Sequence, residues 1–274
     1  MPLTIENYIN TPSPIEHELK ELFDTMSELI IFDIGSCEGE DSIKYSRLFP
    51  NSKIYAFEPL PNNLSLLYAN LKEYLTNNVE VLPIALSNEK GKALFYVSSG
   101  QPENLAKTDD WNFGNKSSSL LSPDKHIEYV PWLTFNQVIQ VDTDTIQNFC
   151  INCEIKCIDF IHMDVQGAEL KVLEGAADFL NNIKSIWLEV ESISLYEDQP
   201  LKVDIENFMQ KHGFCKIKDT VGDIAGDQLY VNLKYFHKKQ INKYLYLNLF
   251  FIFKNRIKTS IKFIFKRLQK LLKL

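Results

Sequence analysis

Apolar residues recur along this chain in two rhythms. Short unbroken runs stand at residues 29–34 (LIIFDI), 53–57 (KIYAF), 79–85, 157–163 (CIDFIHM) and 185–190. Runs of this length, β-branched and bounded by glycine or proline, suit strands buried on both faces of a parallel sheet. Helical patterns lie between them. Residues 40–49 follow the first run and stop at Pro50-Asn51. Residues 62–75 space Leu64, Leu67, Leu71, Tyr74 and Leu75 on one helical face. Residues 168–180 and 203–211 supply the later helices, the second ending just before Gly213.

The remaining stretches fill in the order. Residues 88–91 form a turn, and residues 92–97 a strand leaving it. Residues 98–126 are polar and rich in Ser, Asn, Gly and Pro, which marks a lid or binding loop. Residues 127–133 are predicted to be a short strand and residues 134–149 a helix. Residues 214–218 and 228–233 close the sheet as an antiparallel pair. The alternation predicts an α/β fold with a doubly wound, mostly parallel sheet and a reversed edge. Residues 1–28 form an N-terminal helical extension, 29–233 the α/β domain and 234–274 a tail.

Charge sets the tail apart. The chain has 274 residues with 29 Lys and Arg against 36 Asp and Glu. Residues 234–274 hold 12 of the basic residues and none of the acidic ones, leaving 17 against 36 and a net −19 before them. An acidic body of this kind is no nucleic-acid platform. In the tail, Ile257, Ile261, Ile264, Leu268, Leu271 and Leu272 share one helical face. Lys258, Lys262, Lys266, Arg267, Lys270 and Lys273 flank it. This is a basic amphipathic helix. The apolar run at 244–253 has half of the ~20 residues that a spanning helix needs. Peripheral attachment to an anionic membrane surface follows, each basic residue contributing about 1 kcal/mol. The competing reading docks the stripe on the protein itself or on a second subunit. The N-terminus lacks the apolar segment of a signal peptide. Five cysteines, an odd number, suit reduced thiols. The expected location is the cytoplasm, on the inner membrane face.

Two strand ends carry the candidate chemistry. Asp33-Ile34-Gly35-Ser36-Cys37-Glu38-Gly39 is a strand-to-helix turn in which Gly35 suits a positive φ and Gly39 a close approach. Its spacing departs from both the dinucleotide fingerprint and the phosphate loop. The next strand ends at Glu58-Pro59, about 20 residues on, where a carboxylate can accept two ribose hydroxyls. Far downstream, FIHMDVQGAELKVLEGA delivers Asp164 to a strand end, with Gly167 following and Glu169 opening a helix. Ligands of open α/β sheets bind at such carboxyl edges. Together these features predict one cleft holding a nucleoside cofactor and a substrate.

These segments resemble the FkbM family of S-adenosylmethionine-dependent O-methyltransferases. FDIGSCEG, YAFEP, VLPIALSNEKG, SSSL at 117–120, IDFIHMDVQGAELKVLEGA and IWLEVE at 186–191 occur in family order. The resemblance implies a class I methyltransferase fold, Rossmann-like, with a mostly parallel seven-stranded sheet. It implies S-adenosylmethionine as cofactor and methyl transfer to an oxygen. Asp33, Gly35 and Gly39 would surround the methionine part and Glu58 the ribose, with Ser36 and Pro59 also among the cofactor-binding residues. Ala85 and Leu86 would meet the adenine, Ser118 and Ser119 would lie in a loop over the site, and Asp164 near the methyl. The family usually has lysine where His162 stands and glutamate where Gln166 stands.

Methyl transfer from a sulfonium needs alignment above all. A sugar hydroxyl also needs a base, for which Asp164 is the first candidate, then His162, with Glu191 behind them. His162 and Asp164, two apart on a strand, point to the same face. The expected acceptor is a glycan hydroxyl in surface-glycan or lipopolysaccharide-type biosynthesis, or a small polyketide- or lipid-like hydroxyl. A non-catalytic, membrane-docked module keeping the fold is a further alternative. No resident metal is expected. Asp164, Glu189 and Glu191 stand at adjacent strand ends and would suit a hard cation, but no ligand set can be counted from them. Cys150, Cys153 and Cys157 lack the fourth ligand of a structural zinc site.

Overall fold

The computed structural model describes residues 4–103, 111–236 and 241. Two short helices, α1 (Ile5–Asn10) and α2 (Glu16–Leu22), precede strand β1 (Ile30–Ile34). Then come α3 (Glu40–Leu48), β2 (Lys53–Phe57), α4 (Pro61–Glu73), β3 (Val79–Leu82), β4 (Ala85–Leu86) and β5 (Gly91–Ser99). The middle holds α5 (His126–Tyr129), β6 (Thr134–Asp144), α6 (Ile146–Asn152), β7 (Ile158–Met163), α7 (Glu169–Ala176) and β8 (Ile183–Glu191). Helix α8 (Lys202–Lys211), β9 (Phe214–Asp219) and β10 (Ala225–Asn232) complete the described order.

The main sheet has seven strands in the order β3-β2-β1-β7-β8-β10-β9. The pairs from β3 through β8 are parallel, and β10 runs antiparallel to both neighbours. The reversed strand therefore lies one place in from the edge, which β9 occupies. Side chains alternate between the faces of each strand, and both faces are apolar. Ile31, Phe160 and Trp187 pack with Leu19 of α2 and Tyr45 of α3. Phe32, Ile161 and Ile186 pack with Phe149 of α6, Val172 of α7 and Met209 of α8. The order reverses between β1 and β7, so the cleft of a doubly wound sheet opens at their carboxyl ends.

Four sequence expectations change. Residues 127–133 form no strand, and α5 supplies a single helical turn there. Residues 134–149 do not form one helix: β6 runs through Asp144, and α6 begins only at Ile146. The cause is pairing with β5, which lies far back in sequence, in a register from Gly91 opposite Thr143 to Ser99 opposite Thr134. Val138, Ile139, Val141 and Thr143 are β-branched and favour that pairing. Residues 79–85 divide between β3 in the main sheet and β4 in a second, three-stranded sheet of order β4-β6-β5. The helix expected at 168–180 breaks at Ala177, whose φ of 43° ends α7 before a 3-10 turn over Ala177–Asn182.

The boundary at 233 also moves. Phe236 and Ile241 are buried with Phe23 and Leu29, and the rings of Phe236 and Phe23 meet edge-on at 5.9 Å. Phe236 and Ile241 thus belong to the core. The apolar run at 244–253 and the amphipathic face at 257–273 lie outside the described residues. Among those described, no helix is long and apolar enough to cross a membrane.

Candidate active site

The cleft starts with backbone geometry. After β1 the chain turns at Gly35, with φ 84°, and the amides of Gly35 and Ser36 both donate to the carbonyl of Phe57, at 3.0 and 3.1 Å. From the other side, the Asp164 amide donates to the Ile34 carbonyl at 2.9 Å. The strand end is so tightly flanked that a Cβ at position 35 would stand 1.9 Å from the Asp164 carbonyl oxygen. Glycine alone combines that φ with that contact. Gly39, with φ 81°, caps α3 beneath Leu67 and does not line the cleft.

Glu58 closes this end. It is buried, and its carboxylate accepts from the amides of Cys37 at 3.0 Å and Leu60 at 2.7 Å. Burial pushes its pKa up to about 7, against the lowering effect of the hydrogen bonds from Leu60, Asn63 and Cys37. The Ser36 hydroxyl is buried here without a hydrogen-bond partner. Pro59, Ala85, Leu86, Phe95 and Leu120 give the same end an apolar wall.

At the other end the polar groups converge. Asp33 is buried on β1, accepts from the Ser42 hydroxyl, and lies 3.6 Å from Nδ1 of His162 on β7. Its pKa rises to about 7, chiefly through burial, although His162 pulls it down. His162 is shifted upward. Burial opposes its charge, but Asp41, Asp33, Asp164 and Asp227 outweigh it. Asp164 follows at the strand end. The side-chain amide of Gln166 donates to Asp164 Oδ1 and to Glu189 Oε2, both at 2.7 Å. Gln166 thus places a donor between two carboxylates that a cation would otherwise have to bridge. The φ of Gln166, 55°, lies in the left-handed region. Burial and then Asp164 hold the Glu189 carboxyl well above the usual range. Glu169, the first residue of α7, ties down the turn before the helix, accepting from the amides of Val165 at 3.0 Å and Gly167 at 3.3 Å.

The long loop supplies a side wall. Lys116 Nζ pairs with Glu40 Oε1 at 2.5 Å and lies 4.3 Å over the Trp111 ring. Asn115 donates to Glu38 at 2.8 Å and to Asn63 at 3.0 Å. The cleft holds about 810 Å³ of empty space, open solvent at its mouth included.

Asp33, Gly35, Ser36, Glu58, Pro59, Ala85, Leu86, Ser118, His162 and Asp164 all line this one cleft. Three expected residues do not. Gly39 acts through the α3 cap. Ser119 is fully buried, bonding the Gln166 carbonyl and the Leu121 amide and pairing with Tyr96. Glu191 is buried outside the cleft, its carboxyl pushed up to about 7 by burial and then by Asp164. Sequence reading missed Glu40, Asp41, Asn63, Phe95 and Lys116 as lining residues. Glu40 and Asp41 stand just beyond the glycine turn and could have been read from it. Lys116 reaches Glu40 across 76 positions, which no local pattern reveals. Of the cysteines, Cys150 is buried in the core and Cys153 is exposed. Among the described residues no group of three or more His, Cys, Asp or Glu side chains is placed to hold a metal ion.

The strand order, its single reversed strand and the glycine turn at β1 define a class I methyltransferase. The model of the methyltransferase FkbM domain matches residues 33–215, and the chain belongs to that family. A similar protein is the 2-O-methyltransferase NoeI of Sinorhizobium fredii, 29% identical over 178 residues, which are 65% of this chain and 70% of that one. Another is Methyltransferase 1 of Beauveria bassiana, 25% identical over 149 residues, covering 54% of this chain and 58% of that protein. Among solved structures, the precorrin-6y C5,15-methyltransferase of Geobacter metallireducens aligns with a TM-score of 0.41 and 16% identity, over 82% of this chain and 90% of that one.

Proposed function

We propose that this protein transfers a methyl group from S-adenosylmethionine to a hydroxyl of a sugar. The observation that carries this reading is the polarity of the cleft. One end offers an apolar wall, a buried carboxylate and an unpartnered hydroxyl, and the other a histidine among carboxylates.

The first end fits the cofactor. Each Glu58 oxygen accepts one backbone hydrogen bond and retains capacity for a ribose hydroxyl. The unpartnered Ser36 Oγ adds a polar contact, and Pro59, Ala85, Leu86, Phe95 and Leu120 suit a flat base. Gly35 lets ligand atoms approach the backbone. The cofactor supplies a methyl already activated by its sulfonium.

The chain's residues then align and deprotonate the acceptor. The sequence ranks Asp164 first as base, but the geometry favours His162. One Asp164 oxygen is already engaged by Gln166, whereas His162 turns only its buried Nδ1 toward Asp33 and Asp41, which leaves Nε2 for the acceptor. His162 takes the hydroxyl proton, and Asp33 and Asp41 stabilise the imidazolium that forms. Similarity to a 2-O-methyltransferase supports transfer to oxygen. The sugar class rests on the FkbM resemblance and on the polar acceptor end. We further propose that the basic tail brings the enzyme to an anionic inner membrane surface, where a lipid-linked or nascent surface glycan would be presented. A radiolabelled methyl-transfer assay over mono- and oligosaccharides and small non-sugar alcohols tests the reading. Label on a sugar oxygen is expected, and label confined to non-sugar alcohols overturns the sugar assignment.

A further inference from the structure

Helix α1 lies outside the segment that matches the family model, yet it reaches the acceptor end of the cleft. Tyr8 of α1 donates its hydroxyl to both carboxylate oxygens of Asp41, at 2.9 and 3.2 Å. Its ring packs 5.0 Å from Trp111, and Lys44 Nζ lies 3.8 Å over it. Asp41 is largely buried in the first turn of α3, lines the cleft, and places Oδ2 4.0 Å from His162 Nδ1. Lys44 Nζ stands 3.8 Å from the other Asp41 oxygen. The ring edge of Tyr45 meets His162 at 5.6 Å.

We propose that Asp41, held in place by Tyr8, is a positioning residue that orients His162 toward the acceptor hydroxyl, making α1 part of the catalytic apparatus. This rests on the reading of His162 as the base. An imidazole aligned for proton transfer needs a fixed partner on its second nitrogen. Here Nδ1 faces two carboxylates from different elements, Asp33 on β1 and Asp41 on α3. Ser42 engages Asp33 and Tyr8 engages Asp41, so neither carboxylate turns freely. The other groups acting on His162 are Asp164 of its own segment and Asp227 of β10. Asp41 is the largest of the influences that favour the charged ring.

The sign of the effect follows. Removing the Asp41 charge makes the imidazolium harder to form, so His162 becomes neutral, and competent as a base, at lower pH. In Asp41→Asn the acid limb of the kcat/KM profile should move down by about one pH unit. At the optimum kcat should fall about tenfold, because the imidazolium loses a partner in the transition state. Tyr8→Phe keeps the ring against Trp111 and Lys44 but releases Asp41. It should move the limb the same way by less and lower kcat about threefold. S-adenosylmethionine affinity by calorimetry should stay within about twofold in both, and melting curves establish that both variants fold. An Asp41→Asn profile that is scaled down but not displaced assigns Asp41 a merely structural role and overturns the proposal. So does a Tyr8→Phe profile identical to that of the parent. A His162→Gln variant with full turnover overturns the base assignment itself, and this proposal with it. Loss of turnover in His162→Gln beside an unmoved limb in Asp41→Asn leaves the base standing and removes only Asp41.

Discussion

The two ends of the cleft are built by different means. The cofactor end is largely backbone: a glycine turn, amides tied to the Phe57 carbonyl, and a carboxylate satisfied by the Cys37 and Leu60 amides. Residues 33–39 and 58–60 provide its polar part, and Ala85, Leu86, Phe95 and Leu120 complete its apolar wall. The acceptor end is made of side chains from β1, α3 and β7 and the turn after β7, with Tyr8 of α1 behind Asp41. Backbone geometry suits a ligand that never changes, since one wrong Cβ closes it. Side chains from many elements can be exchanged one at a time, which suits an acceptor that varies.

Substitutions at the two ends should therefore fail differently. The largest effect is expected for Gly35→Ala, which adds a methyl 1.9 Å from the Asp164 carbonyl at a φ of 84°. Backbone strain alone costs about 1–3 kcal/mol at such a position, and the overlap adds to it. Calorimetry should detect no S-adenosylmethionine binding, and retained affinity would break the claim that backbone sets this end. Glu58→Gln comes next. Losing hydrogen bonds to a charged acceptor costs about 1.5–3 kcal/mol, or roughly 10- to 150-fold in cofactor affinity. The acceptor KM should hold, and a matching rise in it would show that the two ends are not separable.

The pH dependence sharpens the comparison further. Asp33 and Glu58 are both raised to about 7 in the fold, from 3.8 and 4.5. Between those values and about 7 the folded chain holds protons that the unfolded chain has lost. These groups therefore stabilise the free protein least above pH 7, and stability falls as pH rises through that window. Ribose hydroxyls favour the ionised form of Glu58, so cofactor affinity should rise over the same window. The melting-temperature gain on adding S-adenosylmethionine should be larger at pH 8 than at pH 6. An equal or smaller gain at pH 8 would show that Glu58 is not a cofactor ligand. The smallest effect on catalysis is expected from deleting residues 242–274. Because Phe236 and Ile241 are buried against Phe23 and Leu29, the cut belongs after Ile241 rather than at 234. The shortened protein should keep its turnover with a soluble acceptor and lose flotation with anionic liposomes. Unchanged flotation removes the membrane assignment.

Local chemistry made much of this legible in the chain itself. Runs such as LIIFDI and KIYAF suit buried strands, and Gly35 and Glu58 stand where short-range turn geometry puts them. Their positions follow from φ, capping and period-two alternation, none of which needs a distant partner. Tertiary structure decided the rest. Residues 134–144 became a strand because β5 lies alongside, and Ser119 and Glu191 left the cleft because other groups bury them. Gln166 came to stand between Asp164 and Glu189 through a backbone turn and the neighbouring strand β8. Tyr8 and Asp41, 33 residues apart, meet beside His162, 121 residues beyond Asp41, only once α1 and α3 pack on one face of the sheet. Sequence specifies what each segment can bury and how it turns, while the meeting of charged side chains depends on which segments are brought together.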